Sequence, residues 1–585
     1  MSQTFHYFAE AVTRRREGFT DKRRWMRRMV SHLAVFALTL LGPIVSLAQT
    51  RGERLMDLAW QEGAKVTLTE YYRSCAKPPN AEDQQVLASV ADFIKNVGRR
   101  DDAIQLSQEL LRLQPNEVKY HMALAEAYLV SANLNGALQA YRQGLSLLPT
   151  DTSTDDQERG RVRRVLTRRI HFLEQAERYE GYNGAYELAG QVVIFKFDPY
   201  LGTFPQVIDL RTGLDRILIP VAPAQFSYGE QGGMPGGEVR LLQPTGSDKP
   251  VLEWQPRGQQ ARSFVRITRS VPVSFKSGEY TLSGTLHLPI ASRPMAAVVL
   301  AQGSGPSTRF SIGIEAMALA EAGAVALIFD KRGTGRSEGP PWHSLGLEAQ
   351  AADVTAGVEF LHGHELTKSL PIGVWGFSQG GWVVPLVATR SANVAFVMLA
   401  AGPAVSLTDQ TAQAVEYEMR TAGHTEAEIK AATQFQRDYF TAMGAGKNVQ
   451  ELQAIPLPEG SRAWRQFIQR PQFQFEVNWW RSNLYDPAPV LEQLKVPVLA
   501  LYGALDHAVP PRENVPRLSQ LLAHAPTRDY TITILPKTNH LFMEATTGSR
   551  REFGQLGWYS PAYFRAMRDW LRSHFLREED ATPRK

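Results

Sequence analysis

The sequence of 585 residues is nearly devoid of cysteine, and its one copy is Cys75. A single cysteine cannot form an intrachain disulfide, and it cannot build a cysteine-rich zinc site. We interpret Cys75 as a buried or incidental residue rather than a reactive thiol. The pair His362 and His364 is too short a pattern to argue for a metal centre. The sequence therefore predicts that no metal and no cofactor is required.

The chain also lacks an excess of either charge once its first 48 residues are set aside. Those residues carry eight of the 64 basic and three of the 59 acidic side chains, which leaves 56 of each in 49–585. The net charge of +5 therefore comes from the leader alone. A neutral body offers no electrostatic footprint for a polyanion, so we expect no nucleic-acid partner.

An apolar run at 33–41 is too short to span a bilayer comfortably. It follows Arg27-Arg28, is broken by Gly42-Pro43, and precedes Ser46-Leu-Ala48, whose small residues suit a cleavage site. Residues 1–48 are therefore predicted to be a signal peptide, with an uncleaved N-terminal anchor as the alternative. We expect the body to be periplasmic or secreted, or else held at the inner membrane by that anchor.

Residues 52–180 are predicted to be helical and contain a repeat of 34 residues. Small residues at helix crossings and a proline that closes each unit are typical of tetratricopeptide-like repeats. Two interpretations stand side by side: a groove that binds a protein partner, or a helical spacer packed on the rest of the chain. The recurring positions are Ala91, Ala103, Leu111 and Pro115, followed by Ala125, Ala137, Leu145 and Pro149.

The sequence pattern changes at residues 181–269 and predicts a small all-β domain there. Short β-rich runs at 191–197, 206–210 and 216–220 are separated by Gly, Pro and Asp turns. From residue 270 to 577, strands alternate with helical segments, which is typical of a doubly wound, mostly parallel sheet. The fold class predicted for the whole chain is therefore α/β, preceded by an all-α and a small all-β domain. Residues 578–585 are assigned to a C-terminal tail.

An insertion at 404–490 interrupts the alternating pattern. It contains amphipathic stretches near 408–421 and 425–442, followed by a segment rich in aromatic side chains. We predict a helical lid whose aromatic residues line an acyl pocket and also contribute to the insertion's own core. These aromatic residues are Trp464, Phe467, Phe473, Phe475, Trp479 and Trp480.

The pentapeptide Gly376-Phe-Ser-Gln-Gly380 lies between a short apolar run and a helix start. A serine between two glycines on a strand-to-helix turn is the nucleophile-elbow pattern, in which glycine allows close backbone approach. The second copy, Gly335-Arg-Ser-Glu-Gly339, is followed by Pro340-Pro341, which prevents a helix from starting there. We predict that Ser378 is the nucleophile and that Ser337 is a loop residue.

A serine nucleophile needs a base and an acid, which on this type of sheet follow it in the order acid, then histidine. Asp506 and His540 each come directly after a predicted strand, so both are expected at the same sheet edge as Ser378. Asp330 precedes the elbow and is expected to form a structural salt bridge with Arg332 or Arg336. His507 precedes the last strand and is not expected to be the base.

The oxyanion of the tetrahedral intermediate should be held by two backbone N–H groups. One belongs to Gln379, the residue after the nucleophile, and the other to Ser304 in the loop Gln302-Gly-Ser-Gly-Pro306. The Gly305-Pro306 pair is expected to hold this loop rigidly.

Residues 265–577 resemble the α/β-hydrolase superfamily, in particular bacterial carboxylesterases. The resemblance rests on the oxyanion loop, the elbow and three further motifs: Asp330-Lys-Arg-Gly-Thr-Gly-Arg-Ser337, Gly503-Ala-Leu-Asp506 and Asn539-His540. It implies ester hydrolysis by a Ser378–His540–Asp506 triad. Gln302 departs from the family, whose members usually carry histidine at that position. Its side chain is not the oxyanion donor, so we expect activity to survive.

The sequence therefore favours an exported carboxylesterase acting on a small-molecule ester. A peptidase or thioesterase on the same triad is the first alternative. A partner-binding scaffold based on the helical repeats is the second, with the hydrolase domain subsidiary or inactive.

Overall fold

The computed structural model describes residues 50–150, 155–200, 204–231, 233–243 and 249–576. The predicted leader at 1–48 and the tail at 578–585 lie outside the described residues. Within the described ranges, no helix is long and apolar enough to cross a bilayer.

The first part of the described chain is helical. Consecutive helices pack against one another, and the recurring residues Ala91, Ala103, Ala125 and Ala137 are all buried. Small side chains at these sites allow the helices to approach closely. The helices are α1 (Arg51–Glu62), α2 (Ala64–Ser74), α3 (Ala81–Asn96), α4 (Arg100–Leu113), α5 (Val118–Val130), α6 (Leu134–Leu147), α7 (Asp156–Glu174) and α8 (Ala176–Gly181).

Nine antiparallel strands follow in a single sheet, in the order β4-β3-β2-β1-β9-β8-β7-β6-β5. Its two edge strands are joined through Leu218 alone, so the sheet curls until its edges meet. Its interior is filled by aromatic side chains, including Phe195, Phe226 and Trp254. The strands are β1 (Gly184–Leu188), β2 (Gln191–Lys196), β3 (Gln206–Asp209), β4 (Asp215–Ile217), β5 (Ile219–Ala222), β6 (Gln225–Tyr228), β7 (Gly237–Leu242), β8 (Val251–Pro256) and β9 (Arg262–Arg266).

The second sheet has eight strands in the order β10-β11-β13-β12-β14-β15-β16-β17. Only β11 runs against the rest; it pairs antiparallel with both β10 and β13. The carboxyl ends of β12, β14, β16 and β17 therefore meet at one edge. The strands are β10 (Thr268–Ser277), β11 (Tyr280–Pro289), β12 (Ala296–Ala301), β13 (Ala324–Phe329), β14 (Ile372–Phe377), β15 (Val394–Ala400), β16 (Val498–Gly503) and β17 (Tyr530–Leu535).

Helices cover both faces of this sheet. Alternate residues of β12 pack on opposite sides: Val299 joins one core with the helices α10, α11 and α17, and Val298 joins another with α9 and α18. The helix α17 had no predicted counterpart; Pro511 stands at its first position, where proline is tolerated, and Pro516 lies inside it. These helices are α9 (Gly313–Ala322), α10 (Leu347–Gly363), α11 (Gly380–Arg390), α17 (Pro511–His524) and α18 (Pro561–Phe575).

The insertion between β15 and β16 is helical. The two stretches predicted near 408–421 and 425–442 form α12 and α13. Trp464 is buried in the core that the insertion shares with the eight-stranded sheet. The helices are α12 (Leu407–Thr421), α13 (Glu426–Gly444), α14 (Val449–Gln453), α15 (Gln474–Ser482) and α16 (Ala488–Leu491).

The N-terminal helices pack directly on this insertion. The ring centroids of Trp60 and Phe475 are 4.7 Å apart, and those of Phe93 and Phe473 are 5.0 Å apart. In addition, Arg100 donates hydrogen bonds to the carbonyl oxygens of 335 and 337, at 2.6 and 3.3 Å. Two of the six aromatic residues assigned to a lid thus face the helical domain rather than an acyl pocket.

Candidate active site

The elbow at Ser378 is a forced, close-packed turn. Ser378 lies in the left-handed region with φ of 52°, which is unusual for a residue with a side chain. A Cβ on Gly376 would come within 2.2 Å of the Gly380 carbonyl oxygen, and one on Gly381 within 2.3 Å of the Gly402 Cα. Only glycine fits at these places, and the turn places Ser378 at the carboxyl end of β14, directly before α11.

The structure brings Ser378, His540 and Asp506 into one hydrogen-bonded row. His540 Nε2 is 3.1 Å from Ser378 Oγ, and His540 Nδ1 is 2.8 and 2.9 Å from the two carboxylate oxygens of Asp506. Asp506 is fully buried, whereas Ser378 is partly exposed. A base in contact with the hydroxyl, oriented by a buried carboxylate, is the arrangement that activates a serine nucleophile.

The carboxylate of Asp506 is held in a defined orientation. Its Oδ1 atom accepts hydrogen bonds from the N–H groups of Ala508 and Val509, both at 2.8 Å. The following histidine loop is held by Asn539, whose Oδ1 accepts from the N–H groups of Leu541 and Met543. These bonds hold Asp506 and the loop of His540 in a defined orientation.

The loop predicted to supply an oxyanion donor passes beside the nucleophile. A Cβ built on Gly303 would lie 3.3 Å from the Cβ of Ser378, so the peptide that precedes Ser304 adjoins the reacting hydroxyl. Gln379, the second predicted donor, stands at the N-terminus of α11, where the helix dipole favours negative charge. Gln302 is buried, and its side-chain amide donates to the Phe329 carbonyl oxygen, which ties the loop to β13.

Asp330 does not pair with Arg332 or Arg336, so that prediction was wrong. Its carboxylate is fully buried and binds the guanidinium of Arg309, with Nη2 to Oδ2 at 2.7 Å. Arg332 pairs with Asp353 instead, and Arg336 contributes only its backbone N–H to Asp330, at 2.9 Å. The Asp330 carboxylate is buried beside β11, and the side chain that enters this space is Arg309, which is distant in sequence.

The serine of the second pentapeptide, Ser337, is buried and bonded to the backbone of neighbouring segments. Its hydroxyl donates to the Asp330 carbonyl oxygen at 2.7 Å, and it accepts from the Ser283 N–H at 3.0 Å. No histidine is bonded to this hydroxyl among the described residues. The structure thus separates it from the triad.

His507 adjoins the acid but does not contact the nucleophile. Its Nε2 accepts from Arg550 Nε at 3.1 Å, and burial lowers the pKa of its imidazole well below the ordinary value. His343, another histidine outside the triad, is enclosed by aromatic rings, and burial lowers its pKa to about 3. Neither imidazole is positioned to act on Ser378.

A small pocket adjoins the elbow on the side of Gln379. Its apolar walls are Trp342, Leu345 and Trp479. The polar contributions include Lys331 and the Gln379 side chain, whose amide donates to Asn483 Oδ1 at 2.9 Å. Of the insertion's aromatic residues, only Trp479 lines this pocket.

The insertion is anchored to the loops that carry the acid and the base. Gln410 of α12 donates to the Ala508 carbonyl oxygen at 2.7 Å. Glu418, also on α12, accepts from the Ser549 hydroxyl at 2.8 Å and from the Arg550 N–H at 3.1 Å. Movement of this helix would therefore break a contact two residues from Asp506, and it would free Arg550, which binds His507.

Sequence reasoning did not single out Lys331, Asn483 or Trp342 as residues of the site. Lys331 stands inside the motif that begins at Asp330, so the motif itself pointed to this position. Asn483 and Trp342 reach the site only through tertiary packing and carry no local signal. Among the described residues, no group of three or more His, Cys, Asp or Glu side chains could hold a metal ion.

A family model described as serine aminopeptidase, S33, matches residues 292–467. This segment, less than a third of the chain, includes the loop at 302–306, the elbow and most of the insertion. The match agrees with the strand order and with the nucleophile turn at Ser378. Together they define an α/β-hydrolase fold, which confirms this part of the predicted fold class.

Two curated proteins are similar to parts of the chain. The quorum-quenching protein AidA of Acinetobacter baumannii is 28% identical over 126 residues, which cover 22% of this chain and 41% of that protein. The polyketide transferase ATR5 of Stachybotrys chlorohalonatus is 31% identical over 107 residues, covering 18% and 36% respectively. The chain thus spans about two fifths of the length of these relatives.

Solved structures with some similarity include two esterases. The Pyrococcus furiosus esterase Pf2001 has a TM-score of 0.34 and 16% identity, covering 53% of this chain and 92% of its own. Est1E of Butyrivibrio proteoclasticus, solved with ferulic acid bound, has a TM-score of 0.34 and 15% identity, covering 52% and 100%.

Proposed function

We propose that the protein is a serine hydrolase that cleaves carboxylic esters through an acyl-enzyme on Ser378. The observation that carries the proposal is the row of hydrogen bonds from Ser378 Oγ through His540 to the buried Asp506. Its supports are the elbow geometry and the oxyanion loop packed beside the nucleophile. No step of the proposed chemistry uses a cofactor or a metal.

In the proposed reaction, His540 Nε2 accepts the hydroxyl proton as Ser378 Oγ attacks the ester carbonyl. Asp506 stabilises the imidazolium that forms and holds its Nδ1–H. The N–H groups of Gln379 and Ser304 receive the negative charge of the carbonyl oxygen. The proton then passes from His540 to the leaving alcohol. A water molecule, deprotonated by His540, attacks the acyl carbonyl; the bond to Ser378 Oγ breaks, His540 returns the proton to Oγ, and the acid is released.

The proposed substrate is an ester with a small or medium acyl group. The pocket beside Gln379 is small, and the bulky rings of Trp342 and Trp479 line it. Long acyl chains would require displacement of Trp479, whose helix α15 is packed against the N-terminal helices through Phe475.

The test is hydrolysis of p-nitrophenyl esters of increasing acyl length by the wild type, Ser378→Ala and Ser337→Ala. Ser337→Ala is the matched control because it removes the serine of the other pentapeptide. We expect turnover to vanish in Ser378→Ala and to persist in Ser337→Ala, with short acyl chains preferred. Equal turnover by Ser378→Ala and the wild type would contradict the proposal.

A peptidase or a thioesterase remains the alternative on the same triad. The matched family is described as an aminopeptidase, which favours a direct comparison of substrates. Matched esters, aminoacyl amides and thioesters with a common acyl group give the comparison. A kcat/KM for the amides above that for the esters would assign the protein to peptide hydrolysis.

We further propose that the enzyme is exported and that helices α1–α6 serve as a spacer that supports the lid. The first proposal rests on residues 1–48, and N-terminal sequencing of the mature protein tests it. The second is supported by the contacts of Trp60 and Phe93 with the insertion. A partner that is captured by the wild type but lost on repeat-surface substitutions would favour the partner-binding groove instead.

A further inference from the structure

Lys331 is a buried lysine directly behind the oxyanion loop. Its residue is 8% exposed, and its ammonium group donates a hydrogen bond to the carbonyl oxygen of Gly303. No carboxylate lies within ion-pair distance of it among the residues that the structure describes. Burial without a counter-charge lowers the pKa of this amine to about 7. Both its charged and its neutral form carry N–H groups, so the bond to Gly303 persists on either side of that pH.

The geometry of the peptide bond gives this contact a consequence. The Gly303 carbonyl and the Ser304 N–H belong to one planar unit, which is trans. In a trans peptide these two groups point in opposite directions. The bond from Lys331 therefore turns the Ser304 N–H away from Lys331 and fixes the rotation of this peptide, which lies against Ser378.

Two further attachments hold the ends of the loop. The Lys331 N–H and the Thr334 hydroxyl both donate to the carbonyl oxygen of Ser307, at 3.2 and 3.0 Å. Gln302 ties the start of the loop to β13. One attachment precedes the peptide between Gly303 and Ser304, and the other follows it. Gly303 has no side chain to restrict the rotation of this peptide.

We propose that Lys331 is a positioning residue that aims the Ser304 N–H at the oxyanion of the ester-cleavage reaction. The inference rests on the function proposed above. Lys331 also borders the pocket beside Gln379, but in this proposal it acts on the oxyanion through the peptide that it holds. Its loss should therefore weaken stabilisation of the transition state more than binding of the ground state.

The test compares Lys331→Met, Lys331→Arg and Arg100→Met in the full-length protein. Methionine keeps much of the length of the side chain but has no donor, and arginine restores one. Arg100→Met is the matched control, because Arg100 also donates to carbonyl oxygens of the 330–337 loop but does not reach the oxyanion loop. The readouts are kcat and KM for a short ester, the rate of fluorophosphonate labelling, and thermal unfolding.

We expect Lys331→Met to lower kcat by about 10- to 100-fold, with KM changed by less than about threefold. Complete removal of one oxyanion donor lowers kcat by about 10²- to 10³-fold, and a misaimed donor should cost less. The labelling rate should fall in parallel, because the phosphonate oxygen occupies the same site. Lys331→Arg should recover kcat to within about fivefold, and Arg100→Met should stay within about threefold of the wild type.

An unchanged kcat in folded Lys331→Met overturns the inference, as does an equal loss in Arg100→Met, which would indicate general loosening of the loop. If Lys331→Met does not fold, Lys331→Arg provides the test. A folded Lys331→Arg whose kcat is more than about 100-fold lower than that of the wild type overturns the inference. A wild type that neither turns over nor is labelled contradicts the proposed function itself, whereas a labelled wild type with an unaffected Lys331→Met contradicts only this inference.

Discussion

Replacing Asp506 with asparagine should disable the base while leaving the shape of the site unchanged. The Oδ1 atom accepts two backbone N–H groups, from Ala508 and Val509, so the amide oxygen of asparagine must take that position. The amide nitrogen then replaces Oδ2, 2.8 Å from His540 Nδ1, and donates to it. Donation from this nitrogen favours the tautomer of His540 that is protonated on Nε2, which cannot accept the proton of Ser378, over the tautomer whose Nδ1–H donates to the retained oxygen at 2.9 Å.

The size of the effect follows from the tautomer. The same substitution in another Ser-His-Asp triad lowers kcat by about 10⁴-fold. This corresponds to about 5.4 kcal/mol at 1.36 kcal/mol for each factor of ten. We expect a loss of about 10³- to 10⁴-fold for Asp506→Asn, because the oxyanion loop and substrate binding continue to act.

The assay is steady-state hydrolysis of a short p-nitrophenyl ester, with circular dichroism and thermal unfolding as checks of the fold. Asp215→Asn is the matched control, since Asp215 is also a buried aspartate but lies in the nine-stranded sheet. Its kcat should stay within about twofold of the wild type. A folded Asp506→Asn that loses less than about tenfold in kcat would refute the assignment of Asp506 as the residue that orients the base.

Three further substitutions test the framework around the site. Gly376→Ala places a Cβ 2.2 Å from the Gly380 carbonyl oxygen, so we expect no active, folded protein; turnover at the wild-type rate would contradict the elbow. Arg309→Met leaves the buried Asp330 carboxylate without its cation, which should lower the free energy of unfolding by about 3–5 kcal/mol. Calorimetry should show an apparent Tm about 10 °C lower. Phe475→Ala should lower the free energy of unfolding by about 3–5 kcal/mol and relax the preference for short acyl chains. An unchanged chain-length profile would contradict the claim that the helical domain supports the pocket.

The elbow and the order of the triad residues could be predicted because each has a local cause. Gly376 and Gly380 are required by close backbone approach at one turn, and the pattern around Ser378 records that requirement. Asp506 and His540 each follow a strand, and parallel strands bring their carboxyl ends to the same edge. The roles of these residues stay predictions, but their proximity follows from chain order and topology.

The contacts that join distant segments could not be predicted in the same way. Arg309 binds Asp330 across 21 residues, whereas the nearer arginines were expected, because spacing along a loop does not reveal which cation shares its cavity. Phe473 and Phe475 are apolar in the sequence whether they face an acyl pocket or the N-terminal helices. Only the tertiary structure distinguishes these surroundings.

The contact of Lys331 with Gly303 belongs to the same class. The motif from Asp330 to Ser337 marks position 331 as part of the hydrolase pattern, but a lysine in a loop is ordinarily exposed. Its burial against the oxyanion loop emerges only when β12 and β13 are placed side by side.

The most direct test of the central claim is to identify the serine that becomes acylated. The protein is treated with a fluorophosphonate, digested with trypsin and examined by mass spectrometry. Cleavage after Lys and Arg yields one peptide, 369–390, that contains Ser378 and another, 337–368, that contains Ser337. An adduct on Ser378 within 369–390 that is absent from Ser378→Ala is the predicted result. An adduct on 337–368, or none on a folded protein, would contradict the account.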